Sequence, residues 1–237
     1  MKGRVIALGF FDGVHAGHGV LLRETARIAA LEGLDPAALT FRGHVAGKPS
    51  RQLTTPEERE RLIRELYRLK TIFLTFDDTL RDMLPVDFVR LLRERFEAVH
   101  LVAGYDFTFG RQGAGNAETL RSCCAELGLF CTVIESVSLD GAPVSTSRIR
   151  EMLAAGRLAK AAELLGHPYE LTLELYEADG AYWSHGVPDD VFLPAPGTYL
   201  GRTQWGQVTI ELGGRCMRVA GLGAMSGTVR LLMEREI

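Results

Sequence analysis

Long hydrophobic runs are absent from this 237-residue chain: no stretch of 18 apolar residues occurs, so no membrane-crossing helix is expected. Cysteine is scarce and unpatterned. Cys123, Cys124, Cys131 and Cys216 show none of the spacings of a disulfide framework or a zinc ribbon. Nor is there an excess of positive charge. Lys and Arg number 27 against 30 Asp and Glu, a net charge of −3, which leaves no electrostatic footprint for nucleic acid or an anionic membrane. Lys2 and Arg4 precede only a short apolar stretch that Asp12 and His15 interrupt, too soon for a secretory leader. The expectation is a cytoplasmic protein with reduced thiols, no metal held by its own side chains, and neither nucleic acid nor membrane as partner. A small anionic ligand would need a local site.

What the chain does have is material for a core, with 46% of its residues hydrophobic. Strand and helix patterns alternate through the first two-thirds, which predicts a parallel sheet with helices on its faces. Strands are expected at Arg4–Phe11, Ala37–Phe41, Thr71–Phe76, Val99–Ala103 and Phe130–Glu135. A helix follows from Gly17. Another starts at Thr55-Pro56-Glu57-Glu58, where Thr55 caps, Pro56 takes the first turn and Glu58 completes a capping box. Others cover Val86–Phe96, Ala117–Leu127 (capped by Asn116, stopped by Gly128), Thr146–Ala155 and Leu158–Leu165. From His167 the texture changes to strands separated by turns at Asp179-Gly180, Pro194–Gly197 and Gly213-Gly214. The expected division is therefore an α/β domain over residues 1–167 and a small antiparallel β module over 168–237.

Chemistry-bearing residues gather in the loops that follow strands, where open parallel sheets bind their ligands. Gly9-Phe10-Phe11-Asp12-Gly13-Val14-His15-Ala16-Gly17-His18 runs from an apolar strand into a helix start. Its glycines let backbone approach a polyphosphate, and the helix N-terminus attracts negative charge. His15 and His18, three apart, can face one ligand. After the second strand comes Thr40-Phe41-Arg42-Gly43-His44, in which His44 is as readily a solvent-facing loop residue as a ligand contact. After the fourth, Gly104–Asn116 combines Tyr105, Phe107 and Phe109 with Asp106 and Gly110, which suits a flat heteroaromatic ligand; the phenylalanines pinning the loop to the core is the other reading, and both can be true together. Finally Ser145-Thr146-Ser147-Arg148-Ile149-Arg150 opens a helix with three hydroxyls and two arginines, more than capping needs and well suited to an anion.

The first of these motifs, Phe-Asp-Gly-Val-His-x-Gly-His, resembles the signature of the flavin adenylyltransferases, the bacterial FAD synthetases of the HxGH nucleotidylyltransferase superfamily. Gly9, Phe11, Asp12, Gly13, Val14, His15, Gly17 and His18 match it. The second loop is similar to the family's Thr-Phe-Asp/Glu-Pro-His-Pro at Thr40, Phe41 and His44, and departs from it at Arg42, Gly43 and Val45. The third is similar to Gly-x-Asp/Asn-Phe-x-Phe-Gly, and the fourth to Ser-Ser-Thr-x-x-Arg with two hydroxyl types exchanged. Leu53-Thr54-Thr55-x-Glu57-Glu58 also resembles a family stretch.

This resemblance implies a Rossmann-like nucleotidylyltransferase domain that joins FMN to ATP with Mg²⁺, giving FAD and pyrophosphate. It implies His15, His18 and Arg150 as catalytic groups. Gly9, Phe11, Asp12, Gly13, Gly17, His44, Asp106, Phe107, Phe109, Gly110, Ser145, Thr146, Ser147 and Arg148 would be binding residues. Family members commonly carry a riboflavin kinase barrel with a Gly-Phe-Pro-Thr-Ala-Asn segment. Here the counterpart is Gly186-Val187-Pro188-Asp189-Asp190-Val191, and no Asn-Pro-Thr follows before Ile237, which implies a shortened module without kinase activity. Its remaining roles would be packing, self-association or flavin delivery. Two other functions compete: a lapsed relative that holds flavin or adenine nucleotide without turnover, and another HxGH adenylyl- or cytidylyltransferase.

Overall fold

Strand β1 (Arg4–Leu8) shows why the first apolar run is continuous rather than alternating. In the computed structural model, Val5 and Ala7 face one layer of helix while Ile6 and Leu8 face the other, so both sides are buried. The structure describes residues 2–43, 50–221 and 227–237. They form two compact units, one of Met1–Lys48 with Arg59–Pro143, the other of Pro49–Glu58 with Val144–Ile237.

In the first unit, β1 is followed by α1 (Ala16–Glu32), β2 (Asp35–Arg42), α2 (Pro56–Tyr67, from Arg59 in this unit), β3 (Lys70–Thr75), a single turn α3 (Asp78–Arg81), α4 (Pro85–Phe96), β4 (Ala98–Gly104), α5 (Ala117–Glu126) and β5 (Phe130–Ile134). The five strands are parallel in the order β3-β2-β1-β4-β5. A two-stranded hairpin, β6 (Ser138–Leu139) with β7 (Ala142–Pro143), ends the unit. One sheet face meets α1 and α2 through Leu21, Leu22, Ile28, Leu62 and Ile63. The other meets α4 and α5 through Phe88, Val89, Leu92, Leu120 and Cys124. The chain order reverses between β1 and β4, so the ligand-binding switch point of this sheet lies at their carboxyl ends.

Every expected strand and helix of the first two-thirds is present, with shifted ends. The first strand stops at Leu8 rather than Phe11 because the Phe11 ring folds back over Gly9, whose added Cβ would lie 2.9 Å from it. The Asn116 carboxamide caps α5 by accepting from the amides of Glu118 and Thr119, each at 3.0 Å, as its sequence position predicts.

The second unit holds α6 (Thr146–Ala154), α7 (Leu158–Leu165) and six strands: β8 (Tyr169–Ala178), β9 (Ala181–Ser184), β10 (Gly197–Thr203), β11 (Gly206–Gly213), β12 (Cys216–Gly221) and β13 (Gly227–Glu236). They close into an antiparallel barrel in the order β10-β11-β12-β9-β8-β13. Positive φ at Asp179 (52°) and Gly180 (71°) makes the tight β8–β9 hairpin that this dipeptide predicts. The change of texture at His167 marks where the barrel strands begin, whereas the compact units divide after Pro143, so α6 and α7 belong with the barrel. The 49–58 segment joins them. Its capping box is formed, the Thr55 amide donating to Glu58 Oε2 at 2.9 Å and the Glu58 amide to Thr55 Oγ1 at 3.2 Å.

Candidate nucleotide site

The turn from β1 to α1 is built on unusual backbone. Phe11, Gly13 and Val14 have φ of 54°, 72° and 41°, and a β-branched residue at positive φ is strained. Burial holds it there: Phe11 and Val14 are fully buried and Asp12 is 2% exposed. The Val14 amide donates to the Phe11 carbonyl at 3.0 Å, and the Gly9 amide to the Leu39 carbonyl at 3.2 Å. The loop is thus tied to β2 at its start and closed on itself in its middle.

His15 then caps α1. Its Nδ1 accepts from the His18 amide at 3.3 Å, so the neutral ring carries its proton on Nε2 and presents a donor there. The His18 ring stacks on that of His15, centroids 3.5 Å apart and 13° from parallel, and meets the Phe11 ring edge-on at 5.2 Å. A Cβ on Gly17 would sit 3.2 Å from His15 ring atoms, so this glycine leaves room for the imidazole pair. The outcome is two imidazoles at a helix start, next to a buried carboxylate. That donor set suits phosphate oxygens better than a hard cation, which takes mostly oxygen ligands. Among the described residues no group of three or more His, Cys, Asp and Glu is placed to hold a metal ion.

The loop after β4 lies at the neighbouring strand end. Phe109 is 7% exposed and belongs to the core beside Phe88, with ring centroids 5.5 Å apart. Phe107 stacks on Phe109 at 5.6 Å and is only partly buried. Phe109 thus pins the loop to the core, and Phe107 forms its more open face. A bridge between Phe109 and Gly115, with N–O distances of 3.1 and 2.9 Å, closes the loop. Gly110 has φ 73° and abuts Pro85 where a Cβ would come within 2.8 Å. Asp106 is exposed at the start of the loop.

In the second unit, Ser145 caps α6 by accepting from the Arg148 amide at 3.3 Å, with Thr146 and Ser147 in its first turn. Arg150 donates to the Arg51 carbonyl at 3.1 Å, and its guanidinium lies 5.8 Å from the Phe192 ring. The structure thus brings Gly9, Phe11, Asp12, Gly13, His15, Gly17 and His18 into one turn beside the loop of Asp106, Phe107, Phe109 and Gly110. The hydroxyls and arginines of 145–150 are organised within the other unit. His44 lies outside the described residues.

Sequence reasoning missed Arg59. On α2, Arg59 lies three and four residues before the core residues Leu62 and Ile63 and is itself fully buried. Its Nη1 donates to Thr40 Oγ1 at 3.1 Å and to the Phe41 carbonyl at 3.3 Å, and its guanidinium lies 4.5 Å from the Phe10 ring. The available signal was a cation three and four residues before Leu62 and Ile63, in the apolar register.

A doubly covered parallel sheet with an imidazole-bearing, glycine-lined turn at its switch point is an arrangement suited to nucleotide phosphates. Residues 1–148 match the family model for FAD synthetase, and the chain belongs to that family. It is 28% identical over its whole length to an FAD synthetase of Listeria monocytogenes, covering 94% of that protein. It is also 28% identical to a bifunctional riboflavin kinase/FMN adenylyltransferase of the same organism, over 87% of this chain and 72% of that one. With the bifunctional protein of Bacillus subtilis it shares 34% identity over 70% of its own length and 54% of the relative's. The chain therefore spans about half of that relative (54%). A solved Streptococcus pneumoniae structure described as a macrolide-efflux protein has the same fold: TM-score 0.86 at 22% identity, over all of this chain and 86% of that one.

Proposed function

We propose that this chain is an FMN adenylyltransferase: an FMN phosphate oxygen attacks the α-phosphorus of ATP, the bond from that phosphorus to the bridging oxygen breaks, and pyrophosphate leaves. The observation that carries it is the stacked His15–His18 pair on the first turn of α1. No covalent step through the protein is required, so the work is positioning and charge stabilisation. His15 donates from Nε2 to a phosphate oxygen, and His18 stabilises charge gathering on the α-phosphate. Asp12 orients the turn. Gly9, Gly13 and Gly17 keep backbone and rings close to the triphosphate, and Phe11 braces His18. Asp106, Phe107 and Gly110 form the flavin side, on a loop that Phe109 pins to the core, with His44 as a further contact.

Ser145, Thr146, Ser147, Arg148 and Arg150 bind the β and γ phosphates. Mg²⁺ would enter with ATP and offset the charge of its phosphates. The setting we propose is the cytoplasm, without nucleic acid or membrane, the barrel being free for self-association.

Riboflavin kinase activity is proposed to be absent. Segment 186–191 is engaged in structural bonds: Arg215 donates to the carbonyls of Val187, Pro188 and Val191, and Gln52 pairs with Val191. The family's Thr and Asn are replaced by Asp189 and Val191.

The test is chromatography of FAD after incubation with FMN, ATP and Mg²⁺, with His18→Ala alongside. FAD from the native chain, reduced about 10²-fold or more in the variant, is expected. FMN and ATP binding without FAD formation would favour a non-catalytic flavin or nucleotide binder. Turnover of a pantetheine or sugar phosphate instead would place the chain with other HxGH transferases.

A further inference from the structure

Arginine is almost never fully buried, and taking a guanidinium out of water costs several kcal/mol that its bonds must offset. At position 59, in register with Leu62 and Ile63, an aliphatic side chain would fill the same stripe without that cost. What a leucine could not do is hold polar groups in fixed directions. Arg59 does so for the carboxyl ends of two neighbouring strands.

From α2 its Nη1 reaches Thr40 Oγ1 and the Phe41 carbonyl, both at the end of β2. Thr40 is itself fully buried and donates its hydroxyl proton to the Phe10 carbonyl at 2.7 Å, at the exit of β1. The guanidinium also lies against the Phe10 ring at 4.5 Å, where a cation is attracted to the π face. Phe10 is therefore held twice, its carbonyl through Thr40 and its ring by Arg59. The next residue is Phe11, in the left-handed conformation, which opens the turn that carries Asp12, His15 and His18.

We infer that Arg59 is a positioning residue for adenylyl transfer, acting through Thr40 and Phe10 to fix the histidine-bearing turn and, through Phe41, the start of the loop after β2. This rests on the proposed function. In this role Arg59 acts through other residues. Its effect passes through the backbone at Phe10, so it should appear in kcat and little in substrate affinity. A lysine keeps the charge but not the planar fork, and restores only part of the effect.

The test compares Arg59→Met, Arg59→Lys, Thr40→Val and the Arg59→Met/Thr40→Val double variant in the full-length protein, with kcat and KM for ATP and FMN measured separately. A displacement of about 1 Å at reacting groups costs about 10²-fold, so Arg59→Met should lower kcat by about 10- to 100-fold with both KM values within about threefold. Arg59→Lys should fall between it and the native protein. The double variant should lose little more than Arg59→Met alone, because the two residues act in one chain of bonds. A folded Arg59→Met with native kcat, or losses that multiply independently, would overturn the inference.

Where Arg59→Met does not fold, as judged by circular dichroism, Thr40→Val decides: a drop in kcat of about tenfold is expected, and native kcat refutes it. If the native chain makes no FAD, the proposed function fails, and amide shifts then read the inference alone. Arg59→Lys should move the His15 and His18 resonances, and unmoved resonances would sink it.

Discussion

Replacing Gly17 by alanine should separate stability from catalysis. Gly17 is the second residue of α1 and its φ is ordinary for a helix, so alanine adopts the conformation freely. On propensity alone the substitution favours the helix by up to about 1 kcal/mol, less this near the end. Against that, the new Cβ would stand 3.2 Å from the Cε1 and Nδ1 of His15, so the ring must give by a few tenths of an ångström. The ring has little slack. One face is stacked on His18 at 3.5 Å, and Nδ1 holds the His18 amide at 3.3 Å. Displacement of His15 therefore displaces His18 as well. With about 10²-fold at stake for 1 Å, a shift of a few tenths corresponds to about a three- to tenfold loss of kcat. The expected variant melts within about 2 °C of the native protein or above it, and makes FAD more slowly at unchanged FMN affinity. Thermal unfolding and a coupled FAD assay measure both. Native kcat in Gly17→Ala would refute the tight packing of the pair, and a melting point lowered by several degrees would show that the strain falls on the helix instead.

Phe109→Ala removes a core ring packed on Phe88 and Phe107 and should cost about 3–5 kcal/mol, read as a lowered denaturant midpoint. Burial pushes the Glu58 carboxyl above its ordinary value of 4.5, against the bonds it accepts from the Thr55 and Thr172 amides. A raised folded pKa stabilises fully below the unfolded value and is lost as pH rises through the folded one. Stability should therefore decline with pH from about 4.5 upward, and Glu58→Gln should flatten that decline in urea titrations at several pH values. The hydrogen bond from Cys124 holds the Cys131 thiol below its usual range, while that same bond and burial push Cys124 up. Iodoacetamide at pH 8 should label Cys131 before Cys124, with peptide mass spectrometry as the readout, and equal labelling would count against the pairing.

Legibility in the sequence follows the range of the interactions. The β1–α1 turn could be read because its parts are adjacent: the glycines, the acid and the histidine spacing all fall between Gly9 and His18. Caps at Thr55, Asn116 and Ser145 were legible for the same reason, each needing only three residues. The end of β1 was not, because apolar Phe10 and Phe11 continue the pattern of a buried strand while the ring of Phe11 in fact turns back onto Gly9. The uses of Phe107 and Phe109 could not be told apart from two alternating aromatics. Their difference comes from Phe88 and Gly115, one of them on another helix.

Arg59 stood furthest from view. A charged residue flanked by Glu58 and Glu60 reads as a solvated face, and its burial depends on Thr40 and Phe10, which lie 19 and 49 residues earlier in the chain. Yet the same sequence holds the clue in another form. A threonine in the interior of a buried strand needs a partner for its hydroxyl, and Thr40 spends its proton on the Phe10 carbonyl. The hydroxyl oxygen can still accept, and in a buried place the natural supplier is a long cation whose stem can lie along apolar neighbours. A buried hydroxyl is a demand for a donor and an arginine at an inward helix position is a supply, so the pairing of the two is implicit in the sequence. In the inference made above, Thr40 therefore acts by what it holds in place, as a brace between Arg59 and the Phe10 carbonyl that leads into the histidine-bearing turn.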